Sequence, residues 1–555
     1  MPDSGTTRKY DGSLTSYLLF LLVFCVLPVF FSVKDGTGVM FYAGFPMLFA
    51  AASSAACLVG SCDFVSVQTD RYISRHMYSA ASSVCRMSLK CALLQAGISF
   101  LLFYAGRGLV GKTILGNSFI AEVLRFYAPA LMALPLVGVC KGFLHGIGME
   151  WQARASLYLM SGIFAAGGLI FGILGAQKGA KVGKLLRNDD MGYVYSACGL
   201  GTGLSIAVLG ILIFLGVFTF ANIRRIQRSQ QYRKEDLFRN ADIMKSGELF
   251  WCCLRHIFGS MGPSVVLSLG MIIGYRLWYG TQEDHANTIV SMWGGFIGIG
   301  FPICVGLGLV AAMPFTYLAA QVIFAANSGK KKLCRIRLGM LLRLSAYVGI
   351  PLSAFVFSAA KEVVAMFPEL TFKAEETAVL SLKAGSPLIF LIQTSSLVLV
   401  IYWRCSNRRM VVIGGCAAFF VQVVAQVVMQ LLGVGITMNL WPSVIMGSVF
   451  LIFLYCAGRH SVTAGVDNGW MMDDLLIFIC AAIASIPVIL LNDYLVLVLP
   501  GIAAFTLAAV IYLVVYVLFS ILLHAADLRN IHRIPFGGWI RELAVLLGAA
   551  EEDDA

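Results

Sequence analysis

Residues 120–144 read IAEVLRFYAPALMALPLVGVCKGFL. Across those positions only Glu122, Arg125 and Lys141 are charged, and a helix needs roughly 20 mostly apolar residues to cross about 30 Å of hydrocarbon. The run is too long and too continuous for a barrel strand, which would show alternation over segments of about ten residues. A helix is the other structure that satisfies its own backbone in lipid. The same criterion, applied outward, gives fourteen spans, near 14–33, 38–60, 88–105, 120–144, 154–176, 193–221, 250–276, 289–316, 336–358, 379–402, 411–433, 437–457, 475–492 and 495–523.

Composition agrees. The chain has 555 residues, of which 59% are apolar and 13% charged, with mean hydropathy +0.84, whereas a soluble domain is roughly 25% charged. Too few charges remain to cover a water-facing surface of this size. This excludes a cytosolic enzyme, a disordered chain and a secreted disulfide scaffold and leaves an all-α integral membrane protein. The first run follows Arg8 and Lys9 as a signal peptide would, but it is nearly twenty residues long and ends in Phe-Phe-Ser-Val-Lys without an Ala-x-Ala-like site, so it counts as a span. Most of the fifteen cysteines lie inside apolar runs and none forms a Cys-x-x-Cys pair, which reads as small buried apolar residues.

The net charge of +12 is spread over short clusters between spans, so it reports topology rather than nucleic acid. An even number of spans puts both termini on one side. That side carries 26 Lys and Arg against 11 on the other, and the excess predicts cytoplasmic termini. The Lys178, Lys181, Lys184, Arg187 cluster alone opposes this. The longest polar connection, 222–248, holds seven basic residues and reads as a cytoplasmic linker near anionic headgroups, or as a partner-docking segment. It divides the chain into a six-helix lobe at 1–221, the linker, a second six-helix lobe at 249–457, a helix pair at 458–523 and a cytoplasmic tail at 524–555 with a short amphipathic helix.

Gly106 to Thr113 formally match the phosphate-cradling G-x-x-x-x-G-K-T loop. Such a loop works between a strand and a helix in a soluble α/β domain, and no such domain has room here. No nucleophile–base set and no metal-ligand spacing stands out, so no enzyme activity, cofactor or metal is expected. The remaining chemistry belongs to ionisable groups in or near hydrocarbon: Arg125, Lys141, His145, Arg255, His256 and Arg343, with Arg276 at a span end. Each is either part of a substrate path or a long side chain snorkelling to the interface. In the first six spans Asp63, Glu150, Asp189 and Asp190 read as loop residues and Glu122 as a span start, so a cation-coupled exporter, which needs an acid at depth, loses support. A cation-rich interior would instead attract an anionic head group such as a pyrophosphate.

Residues 127–159, Tyr-Ala-Pro-Ala-Leu-Met-Ala-Leu-Pro-Leu-Val-Gly-Val-Cys-Lys-Gly-Phe-Leu-His-Gly-Ile-Gly-Met-Glu-Trp-Gln-Ala-Arg-Ala-Ser-Leu-Tyr-Leu, resemble span four and the following turn of the MOP superfamily of flippases. They are most similar to the branch holding stage V sporulation protein B and MurJ-type lipid II flippases. Ala128, Pro129, Ala130, Leu131, Gly142, Gly146, Met149 and Ala153 fit that pattern. Lys141 stands where Arg is usual, His145 where Gln is usual, and Trp151-Gln152 where Thr-Pro is usual. A second likeness is the tail from Ala526 to Gly537, before an amphipathic segment with Trp539, Ile540, Leu543, Val545 and Leu546.

The resemblance implies a MATE-like pair of pseudo-symmetric six-helix lobes that rock about a cavity. It also implies movement of a polyprenyl-pyrophosphate-linked oligosaccharide or peptidoglycan precursor from the inner to the outer leaflet of a bacterial cytoplasmic membrane. Lys141, His145, Arg255, His256 and Arg343 are the expected substrate-binding residues. The lipid II branch carries basic cavity residues near the start of spans one, two and eight, but here 14–33, 38–60 and 289–316 hold no charge, so none is carried over. A monomer is expected, whose partners are membrane lipids and cell-wall or polysaccharide synthesis proteins, with no nucleic acid. The alternatives are a multidrug/cation antiporter of the same superfamily and a non-transporting membrane scaffold in cell-wall or sporulation assembly.

Overall fold

A computed structural model describes residues 4–34, 36–231, 246–279, 286–367, 370–405, 408–433, 440–458, 469–523, 525, 531 and 537–546. Among the described residues the chain is helical throughout and holds no strand. The helices are α1 (Ser4–Lys34), α2 (Gly38–Ala55), α3 (Cys62–Ser74), α4 (Tyr78–Phe100), α5 (Ser118–Gly146), α6 (Glu150–Leu186), α7 (Asp190–Gln231) and α8 (Ser246–Tyr279). They continue with α9 (Ala286–Gly295), α10 (Phe301–Ala312), α11 (Thr316–Asn327), α12 (Lys331–Ser358), α13 (Ala360–Ala365), α14 (Phe372–Gly385), α15 (Pro387–Arg404), α16 (Arg408–Leu431), α17 (Leu440–Gly458), α18 (Gly469–Val498), α19 (Gly501–Leu522) and α20 (Gly537–Leu546). Among the described residues eleven helices are long and apolar enough to span a membrane, or twelve when α14 and α15, bent by 51°, count as one broken span; the apolar Leu440–Leu454 is shorter. The protein is a multi-pass membrane protein.

The second span of each sextet is interrupted in the same manner. A π-helical turn, Ala56–Ser61, joins α2 to α3, and another, Phe296–Gly300, joins α9 to α10. Both are buried. Such one-turn widenings are rare and recur at functional sites, and their matched places support two lobes of common design.

The chain forms two compact units, one of residues 19–27 and 38–276, the other of 1–18, 28–37 and 277–555. In the first unit, α6 and α7 form a hairpin whose axes almost touch. A Cβ on Gly203 would come within 2.5 Å of the Gly167 carbonyl carbon, one on Gly183 within 2.7 Å of the Asn188 carbonyl oxygen, and one on Gly199 would overlap the Phe171 carbonyl. Small residues replace the hydrophobic drive that is absent between helices in lipid. The stretch expected as a loop at 178–187 is the helical end of α6. Lys178, Lys181 and Lys184 sit exposed on its last turns, and the connection shrinks to Arg187–Asp189.

In the second unit the C-terminal pair is fastened to α12. Tyr516 donates its hydroxyl to the Tyr347 carbonyl at 2.9 Å, the Tyr347 and Ser520 hydroxyls are 3.0 Å apart, and Tyr512 stacks on Tyr516. Tyr516→Phe is expected to cost about 1 kcal/mol by leaving a buried carbonyl unmatched. An unchanged thermal midpoint in detergent would show that the helix pair is held otherwise.

Ten of the fifteen cysteines are buried, as their apolar settings predict, while Cys416 and Cys456 are exposed. Arg224 and Arg225 of the expected linker are exposed on the last turns of α7, and residues 232–245 lie outside the described residues. In the tail, α20 places Trp539, Leu543 and Leu546 exposed on one helical face, which fits the expected amphipathic helix.

Candidate functional site

The candidate site grows from α5. Its Gly138, Gly142 and Gly146 form a stripe four residues apart, facing the run from α2 to α3. A Cβ on Gly142 would lie 2.5 Å from the Cys62 carbonyl oxygen, one on Gly146 2.7 Å from that of Ser66, and one on Gly138 would overlap the Cys57 carbonyl. Only glycine lets the backbones meet so closely, and they meet beside the π-helical turn.

That crossing puts opposite charges in the interior. Lys141, next to Gly142, is 3% exposed, and Asp63, next to Cys62, is 1% exposed. Both residues make interactions with their surroundings. From α4 the amide Nε2 of Gln95, itself buried, donates to Cys57 Sγ at 3.5 Å, and Ser66 donates to the Asp63 carbonyl at 3.0 Å. Around them packs an apolar shell that includes Phe64, Val65, Val84, Val139 and Phe143. Stripping an ion of water costs several kcal/mol even after relaxation, so a buried lysine and aspartate at one crossing are retained at a cost, as functional charges are.

The other expected site residues are placed as follows. His145 shares a face with Lys141 one turn along α5 and is half-buried and partnered. Arg255 is exposed on α8 in the same unit. The side chain of His256 lies outside the described residues. Arg343 is half-buried and partnered on α12, in the other unit. The structure thus brings Lys141 and His145 together on α5, and does not group Arg343 with them inside one unit. Arg276 reaches the Thr113 carbonyl beside Gly116 and anchors α8 within its unit.

Three expectations about acids are corrected. Asp63 is not in a loop, because the helix from Gly38 runs through the π-helical turn to Ser74 and buries it. Glu150 and Asp190 are not loop residues either. Glu150 opens α6 and pairs with Arg154 at 2.7 Å, and Asp190 opens α7, its backbone N–H donating to Asn188 Oδ1 at 3.0 Å. In the other unit Glu362 on α13 is fully buried and partnered. The first six spans therefore do hold a buried acid, Asp63. One signal for Asp63 was present: Cys62–Ser74 has neither Gly nor Pro to stop a helix. The G-x-x-x-x-G-K-T match is also resolved, since Leu109–Ile114 is a π-helical turn with no strand before it.

No family model and no curated protein matches the chain. Solved structures do. An inward-facing MATE-family multidrug resistance transporter of the MOP superfamily superposes with TM-score 0.57 at 15% identity, over 81% of this chain and 95% of its own. The lipid II flippase MurJ, in an inward closed conformation, gives 0.60 at 13% identity, over 92% and 98%. The eukaryotic MATE transporter AtDTX14 gives 0.56 at 12% identity, over 87% and 98%. At these identities the likeness establishes the fold alone: the chain has a MATE/MurJ-like helical architecture.

Proposed function

We propose that this protein is a non-enzymatic membrane transporter that flips a polyprenyl-pyrophosphate-linked oligosaccharide or peptidoglycan-type precursor from the inner to the outer leaflet by alternating access. In this reading both termini are cytoplasmic and the membrane is the bacterial inner membrane. The observation that carries the flippase over the multidrug reading is coverage. The lipid II flippase accounts for 92% of this chain, the multidrug resistance MATE transporter for 81% and the eukaryotic MATE transporter for 87%, and the C-terminal helix pair is bonded into its unit rather than appended to it. The buried Lys141 supports an anionic head group, because a cation in low dielectric binds phosphate oxygens strongly. Reconstitution into vesicles with a fluorescent undecaprenyl-pyrophosphate sugar tests this. Protein-dependent loss of inner-leaflet label is the expected result; unchanged leaflet distribution for every such lipid would remove the proposal.

The buried Asp63 favours one second reading, a cation-coupled multidrug exporter. Under it, dye efflux from vesicles is driven by a sodium or proton gradient, and Asp63→Asn abolishes the gradient dependence. Gradient-driven efflux that survives Asp63→Asn would assign the coupling elsewhere, and no efflux in the wild type would retire this reading.

A further inference from the structure

A second cationic cluster lies on the exposed surface of the first unit, away from Lys141. The chain leaves α4 through a π-helical turn, Leu101–Ala105, and re-enters helix through another, Leu109–Ile114. Between them Gly106–Gly108 bring Arg107 back over the Tyr104 ring, 5.8 Å from its centre, while Arg125 of α5 lies 5.9 Å from the same centre. Phe100 stacks on Tyr104 at 5.2 Å. One ring thus positions two guanidinium groups, an arrangement in which the face of the π-system offsets part of the repulsion between them.

The local charge is unbalanced. Arg107 pairs with Glu122 at 3.6 Å; among the described residues Arg125 makes no ion pair and has the Tyr104 ring as its sole partner. Arg125 is nevertheless exposed among apolar neighbours: Leu101 is 64% exposed, and Leu102, Leu109 and Phe126 are exposed as well. It stands two turns into α5, about 10 Å along the axis from Ser118, and helix side chains lean back toward the N-terminus. Its guanidinium therefore leans back toward the Asn117 end of α5, with exposed apolar side chains around it. An unmatched fork of donors there is complementary to a phosphate.

We propose that Arg107 and Arg125, held on the Tyr104 ring, bind the phosphodiester of an anionic phospholipid whose chains lie over Leu101, Leu102 and Phe126. The site does not depend on what the protein transports. The test uses the purified full chain in detergent with added phosphatidylglycerol, phosphatidylcholine or inorganic phosphate. Phosphatidylglycerol should raise the thermal midpoint by several degrees more than phosphatidylcholine, inorganic phosphate should leave it unchanged, and the Arg107→Gln/Arg125→Gln protein should lose at least half of the phosphatidylglycerol increment. An equal increment in the double variant, or equal effects of the two lipids, overturns the proposal, and a shift with inorganic phosphate alone replaces it with a free-anion site. Should the double variant fail to fold, Arg125→Met, which offers lipid an apolar chain of similar length, decides. It loses part of the increment if the clamp exists and none of it if the cluster is only a snorkelling pair.

Discussion

The Lys141→Glu protein is expected to yield little folded material, and whatever survives is expected to flip no substrate. Lys141 and Asp63 flank one tight crossing of α5 and α3, inside an apolar shell. The substitution exchanges a buried cation for a second buried carboxylate, and an uncompensated buried charge costs about 3–5 kcal/mol. That is a large part of a typical stability of roughly 5–15 kcal/mol. Fluorescence-detected gel filtration reads the folded fraction, and the vesicle assay reads transport. The charge-swapped Asp63→Lys/Lys141→Asp protein should recover part of the lost folding if the two groups share a field. A wild-type midpoint and wild-type flipping for Lys141→Glu would mean that the interior charge has neither a structural nor a transport role. Lys141→Met separates the two roles further, since it keeps the stem's packing. Transport is expected to fall at least tenfold while folded yield falls far less.

The other large effect belongs to Gly142→Leu. Its Cβ alone would press within 2.5 Å of the Cys62 carbonyl oxygen and 3.0 Å of Val65 Cβ, and the atoms beyond it have no space in a close-packed interior. Overpacking by single methylenes already costs about 1–3 kcal/mol, and here the obstacle is backbone that cannot rotate away. The predicted outcome is loss of the monodisperse gel-filtration peak. Gly142→Ala should be intermediate, with the midpoint lowered by several degrees. A stable Gly142→Leu protein would show that α5 does not pack on α3 along this stripe. As an internal control, Gly210→Ala on α7, where an added Cβ meets nothing within 4 Å, should not lower the midpoint.

The spans were readable in the sequence because lipid selects apolar residues and hydropathy records that selection directly. The same measure misjudges a helix wherever it stops reporting the solvent. Residues 62–74 are polar enough to look like a loop, yet they pack against α5 and stay helical, so hydropathy does not show the burial of Asp63. The lysines at 178–184 read as a connection for the same reason, although they ride on the end of α6. The two π-helical turns in the second spans left no trace in residue type that periodicity could detect. Lys141 and His145 were visible because charges inside an apolar run are costly and conspicuous. The partner side of that crossing was not, since it depends on which helix a glycine stripe faces, a tertiary fact that spacing alone does not contain.

The α6–α7 hairpin has one practical consequence. At 37 residues, α6 runs for about 55 Å, some 25 Å more axis than the hydrocarbon layer of about 30 Å requires, and glycine contacts lock it to α7 as far as Gly183. The turn at Arg187–Asp189 is thus the tip of a stiff mast rather than a slack tether. A small folded tag spliced into that tip would be carried as a rigid fiducial for electron microscopy. Its cleavage by an impermeant protease added outside intact cells would read the sidedness of the whole chain from a single site.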